Sequence, residues 1–509
     1  MMRTRLVTAL ALATVALCGC GGGNNDSPVT PLTPAPVPGI AVAIGSSLTV
    51  VRGASGVATF TVTRAGGYTG AISLAATGVP LGATVTFDPS TLTGSVSTSN
   101  IIVTVTSAAV AATSPITVVA AGTGVQSKSA QFSLIVTVPS AVTLTALGLG
   151  AVPDRYTAEV WVRNTTAYTT TWGTRGGTGR GNAIKIWDVS ANAPALIDSV
   201  IVANASTLGD VQVSDDGSLL VAAIESNPNG GLAVYQLDTP RSARLLVRTT
   251  GGELQFGVHT AEIARVNGVL YAFCAIDPTN GVPARLVIVS LANPSQPVTV
   301  SSLQMGSPYI HDVFVRDGLL FTGEWNDGIG IWDIGGGGTG GTVANPKRVA
   351  RLATIGGKVH NVWWYHDPVA NSKRYLFVGE EGPGVIGSSS IGDIHVVDIS
   401  TIAAPAEVAR FNVAGGGTHN FSVDEANGFL YAAYYNAGVR VLDVRGDLGS
   451  CTATQKTTDG RCDLTLMGRA KATFSGSGPV YVWGVQWTPI GLFASDMLNG
   501  LWRIPPVSR

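Results

Sequence analysis

Charge is scarce in this chain. Of its 509 residues, 31 are Lys or Arg and 32 are Asp or Glu, so charged residues make up 12% and the formal net charge is -1. Soluble domains usually carry about 25%. Near-neutrality gives no electrostatic case for nucleic acid as a partner, and none for anionic lipid surfaces. The common catalytic signatures are missing too. No Gly-x-Ser-x-Gly elbow occurs, so a strand–turn–helix serine nucleophile cannot be assembled. The glycine run Gly335–Gly341 has no Lys and no helix pattern after it, which makes it a loop and not a phosphate cradle. No EF-hand loop is present. The apolar run Leu6–Leu17 is too short to span a bilayer. There are five cysteines and six histidines.

What the chain has in quantity is Gly, with 64 residues, among many Val, Thr and Ile. That texture indicates a β-rich protein of two or three domains. The stretch Tyr309–Gly356 shows its grammar: short apolar runs separated by Asp-Gly, where Gly tolerates the positive φ of a tight hairpin turn. It reads as an up-and-down sheet of four strands, which must stack on copies of itself to bury its faces. Copies are present. The third strand recurs as Ile184–Val189 (IKIWDV), Leu232–Leu237, Leu286–Leu291, Ile329–Ile334 (IGIWDI), Ile394–Ile399 and Val439–Val444, with a degraded copy at Leu501–Val507. These strands resemble the LVIVD repeat family, which implies a β-propeller over 141–509. Seven units are expected, with inner strands beginning near Ala158, Gly209, His259, His311, His360, His419 and Trp483. The last unit has three strands, and Ala141–Leu147 is the candidate to complete it, because closure removes exposed sheet edges.

Residues 40–140 have a different pattern. Short alternating runs with few aromatics fit a β-sandwich. The segment GYTGAISLAATGVPLGATVTFDPSTL resembles bacterial Ig-like spacer domains, although a Cys…Trp…Cys framework is absent. The expected fold class is therefore all-β: a seven-bladed β-propeller preceded by an Ig-like β-sandwich. Arg3 and Arg5, the apolar run after them and Leu17-Cys18-Gly19-Cys20 resemble a bacterial lipoprotein leader. The resemblance implies that residues 1–19 are removed, that Cys20 carries a lipid anchoring the protein to a membrane, and that the protein is exported to an outer membrane or cell surface. Residues 20–39, rich in Gly and Pro, read as a tether. In an exported protein Cys451 and Cys462 read as a local disulfide around a polar loop. Cys274 reads as a small buried residue.

Four of the histidines, His259, His311, His360 and His419, occupy one column at the entry to the innermost strand of consecutive units. In a propeller they would ring one mouth of the channel. Such a set suits Fe, Cu, Zn or Ni, and it resembles the four-histidine centre of carotenoid cleavage enzymes and the histidine-bearing channel of selenium-binding proteins. The ends of the second strands should lie at the same mouth. Counting places Glu324, Glu380, Asp496, Tyr434 and Cys274 there, with Glu324 and Glu380 as acceptors for the imidazole N–H groups. Alternation points Asp312 to the other side of its strand. Trp325 and Trp364 are the tryptophans expected to touch a ligand, and His366 and His395 are expected at the surface. Two functions fit: a binding or scaffold module with a protein or small-molecule ligand at one propeller face, or a metal-dependent enzyme such as an oxidoreductase.

Overall fold

The computed structural model describes residues 35–106, 109–225, 229–279, 281–354 and 356–507. The expected leader, Cys20 and most of the tether lie outside these residues. From Gly39 to Thr137 the chain forms two sheets. One comprises Gly39–Ile44, Ser55–Ala65, Thr98–Val105 and Ala83–Asp88. The other comprises Ser47–Val51, Lys128–Thr137, Thr113–Gly122, Ile72–Thr77 and Thr91–Leu92. Period-two alternation turns Phe60, Ile72, Ile101, Ile116, Phe132 and Leu134 into one shared apolar core.

Apart from a two-stranded ribbon at Thr174–Arg175 and Gly179–Arg180, the rest of the described residues form seven sheets of the up-and-down kind, antiparallel except for one added edge strand in each of two. Their innermost strands are Tyr156–Arg163, Leu208–Val213, Val258–Val266, Val313–Arg316, Val359–Trp364, Phe421–Asp424 and Val482–Thr488. Each touches the next, and the seventh touches the first, so the sheets close into a wheel. We number the blades 1–7 in this order. The arrangement is that of a β-propeller. Apolar side chains fill each gap between neighbouring blades. The closing gap, between blades 7 and 1, holds Val160, Val162, Trp187, Phe493 and Leu501.

Closure differs from expectation by a few residues. The outer strand of blade 7 is Gly148–Ala151, antiparallel to Gly500–Ile504 with Leu149 opposite Trp502. Within Ala141–Leu147, only Val142–Thr143 is a strand, and it pairs in parallel with Ala472–Thr473 at the edge of blade 6. AVTLTAL carries the alternation that advertises a strand. The closing segment is chosen instead by close approach. A Cβ on Gly150 would sit 2.5 Å from the Trp187 ring, and one on Gly148 would sit 2.5 Å from Ala193.

Cys451 and Cys462 are joined by a disulfide. The loop they close returns through Cys462–Asp463, which adds a parallel strand to the edge of blade 5. Beside it, His395 is fully buried, against the surface position expected from sequence. Its Nδ1 lies 2.6 Å from Glu407 Oε1, and Arg461 pairs with the same carboxylate. The loop covers a face that would otherwise be open, and sequence counting could not see that cover.

Candidate functional site at one mouth of the channel

Five of the seven inner strands carry one irregular residue near the same mouth. Register shifts fall at Thr157/Val160, Leu208/Val211, Val258/Thr260, Val359/Asn361 and Val482/Gly484. A bulge of this kind re-aims a side chain. In blades 3 and 5 the re-aimed residues are His259 and His360. In blades 4 and 6, His311 and His419 take the same place just before the ladder begins, with N–H groups donating to Gly323 and Ala433 at 2.9 Å each.

The four imidazoles stand in one arc. Ring centres are 4.2 Å apart for His259–His311, 4.1 Å for His311–His360 and 4.1 Å for His360–His419. Trp483 continues the arc at 4.2 Å from His419. His259 Nε2 and His311 Nε2 are 3.0 Å apart. That is the separation of two adjacent ligands on one ion, since bonds of about 2.0–2.1 Å at right angles span about 3 Å. His311, His360 and His419 are buried. Burial, with neighbouring imidazoles adding to it, holds all three well below the usual histidine range, so they are neutral with a free lone pair. Neither ring nitrogen of His360 or His419 has a hydrogen-bond partner of normal geometry. Unpaired buried nitrogens are costly, and a metal ion would satisfy them.

The carboxylates at this mouth are Glu381, Glu225 and Asp277, not Glu324 and Glu380. Glu381 Oε2 lies 3.3 Å from His311 Nε2 and 3.9 Å from His360 Nε2. Tyr435 Oη donates to its other oxygen. Burial pushes the Glu381 carboxyl up to about 7. The buried group His311, His360 and Glu381 could hold a metal: its ligand atoms all lie within 4.8 Å of one another. Two imidazoles and a carboxylate on one side of an ion are a donor set suited to Fe(II) and also acceptable to Zn, Cu or Ni. Glu225 and Asp277 instead face the far nitrogen of His259, at 3.2 Å and 3.6 Å.

The column expected at the second-strand ends is displaced by one residue in blades 4 to 7. The positions at the mouth are Trp172, Glu225, Asp277, Trp325, Glu381, Tyr435 and Met497, and a shift of one reverses the face of every side chain. Glu324 faces away, accepting from Thr322 Oγ1 at 2.7 Å with Arg351 at 3.6 Å. Glu380 faces His395 at 3.5 Å. Asp496 accepts from Trp502 Nε1, Tyr434 donates to Gly392 O, and Cys274 packs in the core between blades 2 and 3. Trp364 also belongs to an apolar core. Trp325 does reach the mouth, stacked on His311 at 5.5 Å. Trp325 and Tyr435 have φ of 50° and 39°. Non-glycine residues pay for this conformation, and here both rings are turned toward the histidines.

Over the arc lies a cavity of about 400 Å³, walled by Trp172, Tyr309, Trp325, Tyr481 and Trp483. The loop after Glu381 arches across it and is held by Tyr481, whose oxygen accepts from Gly384 N at 3.1 Å. Further along the inner strands is a second cavity, of about 270 Å³, lined by Glu159, Asp210, Glu262 and Asp312. Asp312 therefore does face the channel. Desolvation, with like charge adding to it, pushes Glu159 up to about 8, Glu262 to about 7 and Asp210 to about 6.

No protein-family model matches the chain, and no curated protein does. Among solved structures it is similar to Sqt1 from Chaetomium thermophilum, with 12% identity over 72% of this chain and 100% of that one, at a TM-score of 0.47. It is also similar to a GH43 endo-arabinanase from Bacillus licheniformis, with 15% identity over 47% of this chain and 94% of that one, at a TM-score of 0.31. Likenesses at this level assign no activity.

Proposed function

We propose that this protein is an exported, lipid-anchored propeller of the LVIVD-repeat kind. In this reading Cys20 and the tether hold it to a membrane, an Ig-like module spaces it, and the propeller carries a transition-metal site. The observation that carries the metal reading is the convergence of buried, neutral, unpartnered imidazoles on one carboxylate at one mouth. His311, His360 and Glu381 would hold the ion, with His259 and His419 within reach of it. Bound there, the metal would supply Lewis-acid or redox chemistry. The chain's own residues do the rest. Burial keeps the imidazoles in their ligating state, Tyr435 fixes the rotamer of Glu381, and the aromatic walls exclude water and seat a small organic molecule. A metal-dependent enzyme, with an oxidoreductase as the leading class, fits this arrangement better than a bare scaffold. A scaffold has no use for unpaired nitrogens in its hub.

The test is elemental analysis of protein purified without a histidine tag, before and after reconstitution with Fe(II), Cu(II), Zn(II) or Ni(II). The reading expects near-stoichiometric metal, lost in the His311→Ala/His360→Ala double variant while near-UV dichroism is kept. Failure to retain any of the four metals would leave only the anchored binding module.

A further inference from the structure

Acidic side chains crowd this mouth. Glu225, Asp277 and Glu381 meet here, and their ion-pair partners are histidines alone. Among the described residues, no Lys or Arg lines the cavity. Three of the four imidazoles are neutral; burial would lower the fourth, His259, too, but Glu225 and Asp277 outweigh it and push it up to about 10, so its imidazolium is the cation between them.

Two of the acids converge on one ring. Glu225 Oε1 and Asp277 Oδ2 both approach one atom, His259 Nδ1, at 3.2 Å and 3.6 Å. A single N–H cannot satisfy two carboxylates, and Asp277 Oδ1 is buried with no hydrogen-bond partner. Glu225 is aimed from its other side, because Trp172 Nε1 donates to its Oε2 at 2.8 Å. The three ligand atoms lie within 4.8 Å of one another, a second group separate from His311, His360 and Glu381. The two groups meet at one ring: His259 turns Nδ1 to the acids and Nε2 to His311 Nε2, 3.0 Å away.

We propose that Glu225, Asp277 and Nδ1 of His259 form a second divalent-cation site, so that the mouth carries two metal ions bridged by the His259 imidazole. The proposal rests on the metal reading above and extends it. His259 starts as an imidazolium with two N–H groups; an ion at Nε2 would displace one proton to the buffer, and the second ion, at Nδ1, would displace the other. No electron moves and no other bond breaks. Mixed N/O donors suit Zn(II) or Cu(II) at this position. Two ions on one wall of the cavity give a ligand two points of attachment in place of one.

The experiment is calorimetric titration of metal-free protein with Zn(II), comparing wild type with Glu225→Gln/Asp277→Asn. These substitutions keep size and hydrogen-bonding capacity. Wild type should take two equivalents and the double variant one, and the second wild-type step should release a proton, read as a heat that depends on buffer ionisation enthalpy. One equivalent in both proteins, or two in both, would overturn the second site. No binding by wild type would overturn the metal reading itself. A variant that lost its near-UV signal would shift the decision to wild type alone, loaded with two equivalents of Cu(II). There the bridge predicts an electron paramagnetic resonance signal that integrates below two spins on cooling, and two full uncoupled spins would contradict it.

Discussion

Tyr435 shows how much one hydroxyl contributes at this mouth. It is fully buried, sits in a left-handed conformation, and spends its proton on Glu381. Tyr435→Phe keeps the ring and frees the carboxylate to rotate. Removing such a supporting hydrogen bond typically costs about 10- to 100-fold in metal affinity. We expect that loss in competition titrations against a chromophoric chelator, with little change in stability. Affinity equal to wild type would show that Glu381 is not a ligand. At this scale the sequence was half legible. The histidine column could be read because each copy sits at the start of a recognisable inner strand. The carboxylates could not, because the second strand's last mouth-facing residue lies past its final ladder pair. There Trp325 and Tyr435 break the period-two count with positive φ. Glu381 lies one residue past Glu380 and Asp277 three past Cys274, and no strand count reaches Glu225.

Loops and strands set the next scale. The glycine run is a loop, and its purpose is not visible in the sequence. Asp333 Oδ1 accepts from the N–H groups of Gly335, Gly336 and Gly337, and Oδ2 accepts from Thr339 N and Gly341 N. Burial would raise this carboxyl, but those N–H groups outweigh it and hold it below the usual range. A depressed folded value gives stability that is present above the unfolded value, about 3.9, and lost as pH falls below it. Asp333→Asn should therefore cost about 1–3 kcal/mol near pH 7 in urea unfolding, with the gap to wild type closing toward pH 2. A constant gap across that range would contradict the loop's charge dependence. The closing strand makes a separate prediction. Gly150→Val drives a branched side chain into Trp187, and overpacking costs about 1–3 kcal/mol. The thermal midpoint should fall by several degrees, and an unchanged midpoint would mean that Gly148–Ala151 is not what seals the wheel. The seven-unit array was legible because every blade repeats one hydrophobic sentence. The closing strand was not, because close approach selects glycine and glycine carries no alternation.

For the whole molecule, the wheel decides what the channel contains. Closure brings together Glu159, Asp210, Glu262 and Asp312, which come from four different blades. Glu159 accepts from Val160 N at 2.9 Å and also from Asn420, across the hub. Its raised value gives stability that is full below the unfolded value and lost as pH climbs through about 8. Glu159→Gln keeps the shape without the charge. It should stabilise the protein by about 1 kcal/mol or more at pH 9 and change little at pH 5, read by denaturant unfolding at both. Equal effects at the two values would mean that the channel is wet enough to solvate the carboxylate. None of this crowding is visible along the chain, because the four acids are separated by whole blades in sequence and become neighbours only at the hub.

The central claim is that distant histidines meet around a metal in that hub. Metal-edge X-ray absorption of the protein loaded with one equivalent of Zn(II) addresses it most directly. The account predicts nitrogen and oxygen donors at about 2.0–2.1 Å, with the outer-shell scattering of at least two imidazoles and no sulfur. A spectrum of oxygen donors alone, without imidazole scattering, would contradict it.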